Sequence, residues 1–179
     1  MIIVMGLPGA GKSTVLLAAK NTDYVMKNYG DLMYEIASKQ GHVKHRDELR
    51  KLDTTVQKKV QNDVGDALAK MTGKMILDTH CSVQTSNGYL PGLPYSLLSK
   101  LTVDKLVLIN APAEEILARR KADTTRIRET NIEEIREHDN VNIAFLAAYS
   151  ALTGAPAVII SNRQGKLEEA QQKFLSLLE

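Results

Sequence analysis

The chain has a single cysteine, Cys81, and no tryptophan among its 179 residues. One cysteine excludes an intramolecular disulfide and a cysteine-built zinc site, and it suits a reducing cytoplasm. Aromatic residues make up only 4%, too few for the stacking platforms that grip single-stranded nucleic acid. The formal net charge is +2, so no global field points to nucleic acid or an anionic membrane as a partner. No apolar run approaches the roughly 20 residues of a membrane-spanning helix. The first run, 1–5, is too short for a secretory signal and passes directly into glycine-rich sequence.

What is present suits one α/β domain. Hydrophobic residues account for 44% of the chain, enough for a substantial core. Short apolar runs at 2–5, 24–27, 74–78, 105–109 and 157–160 alternate with longer amphipathic segments. That alternation predicts βαβ units and a five-stranded parallel sheet flanked by helices. Asp31 is placed to cap a helix over 32–40, which Gly41 ends. Asp53 is placed to cap a longer helix whose Val56, Val60, Val64, Ala67, Leu68 and Met71 form one stripe before Gly73. Pro112 fits the first turn of a helix over 113–121. Asn131 caps 132–153, which Gly154 stops, and a last helix covers 166–178. Two stretches read as irregular: TSNGYLPGLP at 85–94 and ADTTRIRET at 122–130.

The chemistry concentrates at a few places. Residues 6–13 read GLPGAGKS, a G-x-x-x-x-G-K-S motif between a strand pattern and an apolar helix start. Gly6, Gly9 and Gly11 let the backbone curl into a nest of N–H groups beside the positive end of the next helix. Lys12 then reaches the β- and γ-phosphates of a nucleoside triphosphate, and the Ser13 hydroxyl serves as a Mg²⁺ ligand. The run Met75-Ile76-Leu77-Asp78 ends in a carboxylate where a second Mg²⁺ contact is expected. Five of the eight arginines, Arg119, Arg120, Arg126, Arg128 and Arg136, crowd into 119–136. Arg136 reads as a surface partner of Glu133, Glu134 and Glu137. Arg120, Arg126 and Arg128 read as a mobile phosphate-neutralising group, because a loop that basic repels itself without anions. Arg46 and Arg50, four apart, are candidates for an acceptor phosphate, with Asp47 and Glu48 as alternative surface partners. His80, past the end of the Asp78 strand, is a candidate substrate contact. His42, His45 and His138 read as surface or capping residues, and Cys81 as a packed side chain.

Taken together, several segments resemble the archaeal-type adenylate kinases. They are GLPGAGKST at 6–14, YGDLMYE at 29–35, HRDELRKLD at 45–53, LDTH at 77–80, GYLPGLP at 88–94, ILARR at 116–120, TRIRE at 125–129 and LTGA at 152–155. The resemblance implies a P-loop kinase fold with a central five-stranded parallel sheet, and the reaction ATP + AMP ⇌ 2 ADP with Mg²⁺. It implies one domain over 1–179, with an acceptor-binding segment at about 30–72 and a short lid at about 121–131. It also implies a cytoplasmic homotrimer. By position, Gly6, Leu7, Pro8, Gly9, Ala10, Gly11, Lys12, Ser13, Thr14 and Arg119 hold ATP. Gly30, Asp31, Arg46, Arg50 and His80 hold AMP. Lys12, Arg120, Arg126 and Arg128 act on the transferred group, and Ser13 with Asp78 hold the metal. The chain departs from the bacterial and mitochondrial enzymes: Tyr34 stands where they carry an arginine, and Thr79-His80-Cys81-Ser82 replaces their GFPR. The lid is about ten residues without cysteine, so no zinc is expected.

Other readings differ in testable features. A GTPase switch needs D-x-x-G after the second metal strand, but Thr79 and His80 follow Asp78, and the chain lacks an Asn-Lys pair for guanine. A kinase acting on a small-metabolite hydroxyl needs a carboxylate to take the proton, whereas a phosphate acceptor needs cations instead. A UMP/CMP kinase would share this machinery with a different base pocket.

Overall fold

The computed structural model describes residues 1–123 and 131–179. Arg126 and Arg128 fall outside the described residues, as does the Arg50 side chain. The described strands are β1 (Ile2–Gly6), β2 (Val25–Asn28), β3 (Met75–Asp78), β4 (Ser82–Thr85), β5 (Gly88–Pro91), β6 (Lys105–Asn110) and β7 (Ala157–Ser161). The described helices are α1 (Lys12–Leu16), α2 (Tyr29–Lys39), α3 (Thr54–Ala69), α4 (Tyr95–Leu98), α5 (Ala113–Ala122), α6 (Ile132–Thr153) and α7 (Leu167–Leu175).

All five expected strand runs join one parallel sheet in the order β2-β3-β1-β6-β7. The central strand β1 is buried along its whole length, which explains its unbroken apolar sequence. Alternate residues of β1 face opposite sides. Ile3 and Met5 pack with Leu32, Val60, Val64 and Leu146 from α2, α3 and α6. Ile2 and Val4 pack with Val15, Ala170 and Phe174 from α1 and α7. A smaller cluster of Leu7, Ala10, Ala111, Ile116 and Ile135 seats α5 and α6 beside the glycine loop. Each Val, Leu, Ile, Phe or Met side chain among them, fully buried, contributes about 1.5–3 kcal/mol, so the layers on both faces hold the strand ends in a fixed relation.

Several local expectations change. Helix α2 begins at Tyr29, and its cap is Asn28, whose side chain accepts a hydrogen bond from the Asp31 amide at 3.1 Å. Asp31 therefore sits inside the first turn. The expected loop at 85–94 is in part an antiparallel hairpin, β4 with β5, turning at Ser86-Asn87. Gly88, the first residue of β5, has φ 110, a conformation that glycine adopts without strain. The stretch around Arg46 forms a 3-10 turn, Arg46–Lys51. Asp53, Asn131 and Gly154 do cap α3 and α6 as expected.

Gly6 is glycine for a reason the sequence does not display. Gly9 and Gly11 have φ 96 and 83, but Gly6 has no positive φ. A Cβ at Gly6 would instead lie 2.5 Å from the Ile109 carbonyl oxygen of β6. That oxygen is sheet backbone and cannot swing away. Gly6→Ala is expected to lower unfolding stability by about 1–3 kcal/mol, read as a lower urea midpoint at unchanged slope. An unchanged midpoint would show that β6 can yield.

Candidate functional site

The glycine loop is shaped from both ends and braced from outside. The Ala10 amide bonds to the Leu7 carbonyl at 3.0 Å, and Gly11, in a left-handed conformation, receives the Thr14 and Val15 amides at 3.1 Å each to open α1. Three side chains take the loop's carbonyls. Arg119 Nη1 donates to Gly9 and Ala10, both at 3.3 Å. Arg120 Nε donates to Pro8 at 2.9 Å. Asn162 Nδ2 donates to Ala10 at 2.9 Å. Carbonyls held this way do not present their negative ends to an incoming phosphate. Arg119 is itself oriented by Glu115 and by the Asn162 carbonyl, both at 3.0 Å. Arg120 is buried, with 8% exposure, and lies against the loop at the end of α5. Gly11 is tight as well as left-handed, because a Cβ there would collide with the Asn162 amide.

At the carboxyl end of the sheet, Lys12 forms an ion pair with Asp78 Oδ1. Burial pushes the Lys12 ammonium down to about 8 even with this carboxylate against it. Parallel pairing sets Asp78 level with Val4 on one side and Asn28 on the other. Asn28 Nδ2 donates to Asp78 Oδ2 at 3.0 Å. Arg46 Nη2 reaches the other end of the same amide, Asn28 Oδ1, at 3.4 Å, and Arg46 pairs with Asp31. A Cβ on Gly30 would sit 2.7 Å from Arg46 Nη2, so glycine there keeps room for the guanidinium.

One cavity of about 600 Å³ runs across these groups. Of the residues expected from sequence, Gly6, Leu7, Pro8, Gly9, Gly11, Lys12, Ser13, Thr14, Gly30, Arg46, Asp78, His80 and Arg119 line it. Ala10 is buried behind the loop, and Asp31 lies beside the cavity as the partner of Arg46. Sequence reasoning missed Asn28, Tyr29, Thr79 and Asp123, which also line it, and the brace Asn162. Asn28 does carry a local signal, standing immediately before the Tyr29-Gly30-Asp31 turn. Asn162 has none, since its role depends on a contact with residue 10.

The peptide after Asp78 is anchored to α6. Ser82 Oγ donates to Asn142 Oδ1 at 2.6 Å and lies 3.0 Å from His138 Nε2. Tyr149 donates to the Cys81 carbonyl at 2.8 Å. His138, expected at the surface, is half-buried here, with its ring centroid 4.9 Å from that of Tyr89. The Cys81 thiol is buried and pushed up to about 12, which makes it a packed side chain. Arg136 pairs with Glu133 at 2.9 Å and Glu114 at 2.5 Å, a surface arrangement.

The donor set fits a magnesium ion carried in with a nucleotide. Among the described residues, Asp78 Oδ1 is buried and meets only the Lys12 ammonium, and Ser13 lines the same cavity. A carboxylate and a hydroxyl are the hard oxygen ligands Mg²⁺ takes. Among the described residues no group of three or more His, Cys, Asp or Glu could hold a metal ion. The other ligands here would be phosphate oxygens and water.

Comparison with known proteins places the chain in a family. The family described as AAA domain matches residues 5–136. The chain is 42% identical over 183 residues to an adenylate kinase of Methanothermobacter thermautotrophicus, covering 100% of this chain and 99% of that one. It is 40% identical over 178 residues to an adenylate kinase of Thermoplasma acidophilum, covering 98% and 97%. Among solved structures, the shikimate kinase of Acinetobacter baumannii in complex with shikimate aligns with a TM-score of 0.59 at 19% identity, covering 99% and 91%. That likeness concerns the fold alone. With whole-length identity of this size resting on a glycine-loop α/β sheet, the chain belongs to the adenylate kinase family.

Proposed function

We propose that the protein transfers the terminal phosphoryl group of ATP to AMP, reversibly, yielding two ADP. The observation that carries this reading is the single cavity in which the glycine loop and Lys12 face Gly30, Arg46 and His80. A phosphate acceptor is already an anionic nucleophile, so catalysis is positioning and charge neutralisation, with no base required. Gly6 through Thr14 hold the donor phosphates. Lys12 leaves Asp78 for the β- and γ-phosphates when they arrive, since three phosphates attract an ammonium more strongly than one carboxylate. Ser13 and Asp78 would hold the Mg²⁺ that arrives with the nucleotide, and the ion would supply charge neutralisation for the phosphates.

Arg46 is the acceptor-phosphate ligand, exchanging its exposed partner Asp31 for a bidentate contact. Arg50 joins it from the same turn. Arg119 and Arg120 stiffen the donor loop at the base of the lid, and Arg126 and Arg128 close over the reacting phosphates. In this reading α2, the following 3-10 turn and α3 make up the acceptor-binding segment of about 30–72, and the lid spans about 121–131. The homotrimer and the cytoplasmic location belong to the same proposal, and they rest only on the family resemblance seen in the sequence.

The direct assay supplies ATP and Mg²⁺ with AMP, GMP, CMP, UMP or shikimate in turn. ADP is expected from AMP, and ADP from shikimate but not AMP would overturn the assignment. Lys12→Ala is expected to lower turnover by about 10²–10³-fold while the melting temperature stays near that of the parent protein. Undiminished turnover would remove Lys12 from the chemistry. Gly30→Ala is expected to raise KM for AMP about tenfold and leave KM for ATP unchanged. Its stability should change little, because the helical gain of a methyl in the first turn of α2 is set against pressure on the Arg46 tip and on the cap oxygen Asn28 Oδ1, 3.2 Å away. Equal effects on both KM values would contradict an acceptor-side role for that turn.

A further inference from the structure

We infer that Asn28 is a positioning residue that ties the donor half of the cavity to the acceptor half. The inference rests on the reaction proposed above. Asn28 touches both halves through one amide. Its Nδ2 donates to Asp78 Oδ2 at 3.0 Å. Its Oδ1 accepts from the Asp31 amide at 3.1 Å and from Arg46 Nη2 at 3.4 Å. The two ends are chemically distinct, so the amide has one workable orientation. A carboxylate or hydroxyl at this position could cap α2 equally well, because Asn, Asp and Ser are similar helix caps. A carboxylate cannot donate to Asp78, and the short serine side chain does not span the distance that the amide spans.

Two consequences follow from the amide's double attachment. On the donor side, Asn28 occupies Asp78 Oδ2, so Lys12 is held through Oδ1. Without that donor, both carboxylate oxygens would be open to Lys12, which would then bind Asp78 more firmly and pass to phosphate less readily. On the acceptor side, the first turn of α2 and the Arg46 guanidinium are held in register with Asp78 and hence with the glycine loop. The strands enforce this register, because Asn28 and Asp78 are direct partners in the parallel β2–β3 pairing. In-line transfer is sensitive to such placement, and a shift of about 1 Å can reduce rate by about 10²-fold.

The test compares Asn28→Asp and Asn28→Ser, both cap-competent, with the parent protein. Both are expected to melt within about 5 °C of the parent, and to lose kcat by about 10²-fold with KM for ATP changed by less than about threefold. A second readout avoids turnover. Calorimetric titration without Mg²⁺ uses AMP alone and then two adenosines joined by five phosphates. Affinity for the joined compound is expected to fall at least about tenfold, with affinity for AMP alone altered much less. If either variant keeps the parent's kcat, or both bind the joined compound as the parent does, Asn28 is only a helix cap and the inference is overturned. A loss confined to KM values would overturn it equally, by making Asn28 a binding residue. The parent serves as control: if it forms no ADP from ATP and AMP, the assigned reaction fails, whereas an active parent with fully active variants removes only the role of Asn28.

Discussion

The contact between the Lys12 ammonium and the Asp78 carboxylate sets the arrangement of the whole cavity. It exists because β1 and β3 are neighbours in a parallel sheet, so a lysine just past the end of one strand meets the last residue of the other. Burial weakens the ammonium's hold on its proton, because the charge is poorly solvated there. It is therefore ready to move to any stronger anion that enters. The next strand, β2, carries Asn28 to the far side of Asp78, and α2 starts from there. The proposed donor and acceptor halves thus share one carboxylate as their reference point.

The cations of the chain divide by what holds them. Arg136 is taken up by surface carboxylates, Arg119 and Arg120 by loop carbonyls, and Arg46 by an exposed aspartate that a phosphate can displace. Composition shows a cluster of arginines but not this division. A brace and a ligand use the same guanidinium chemistry, and only the location of the nearest acceptor distinguishes them. The bracing of the glycine loop therefore comes from residues 109 to 152 positions away in sequence.

Much of the site is legible in sequence where its logic is local. GLPGAGKS declares itself because turn, lysine and hydroxyl must be adjacent, and Asp78 because a carboxylate ends an apolar strand. The five strands are legible because buried parallel strands are short apolar runs. The less legible parts involve competition or distant contact. Asn28 and Asp31 can both cap α2, and the earlier one prevails because its amide also satisfies Asp78. The β4–β5 hairpin hides behind Pro91, Gly92 and Pro94, although the polar Ser86-Asn87 followed by Gly88 marks its turn. Gly6 looks like a flexible hinge, yet its glycine is demanded by the neighbouring strand's carbonyl. Asn162 is invisible without the fold.

The claim most in need of direct measurement is that two nucleotides lie together across the Lys12–Asp78 contact. Thermal unfolding with two adenosines joined by five phosphates, compared with ATP and with AMP at equal concentration, addresses it. A ligand that fills both halves and binds only the folded state raises the melting temperature by mass action, in proportion to the logarithm of its affinity. The account predicts a shift well above that of either nucleotide alone. A shift no larger than that of ATP would mean the halves do not form one site, and the account would fail.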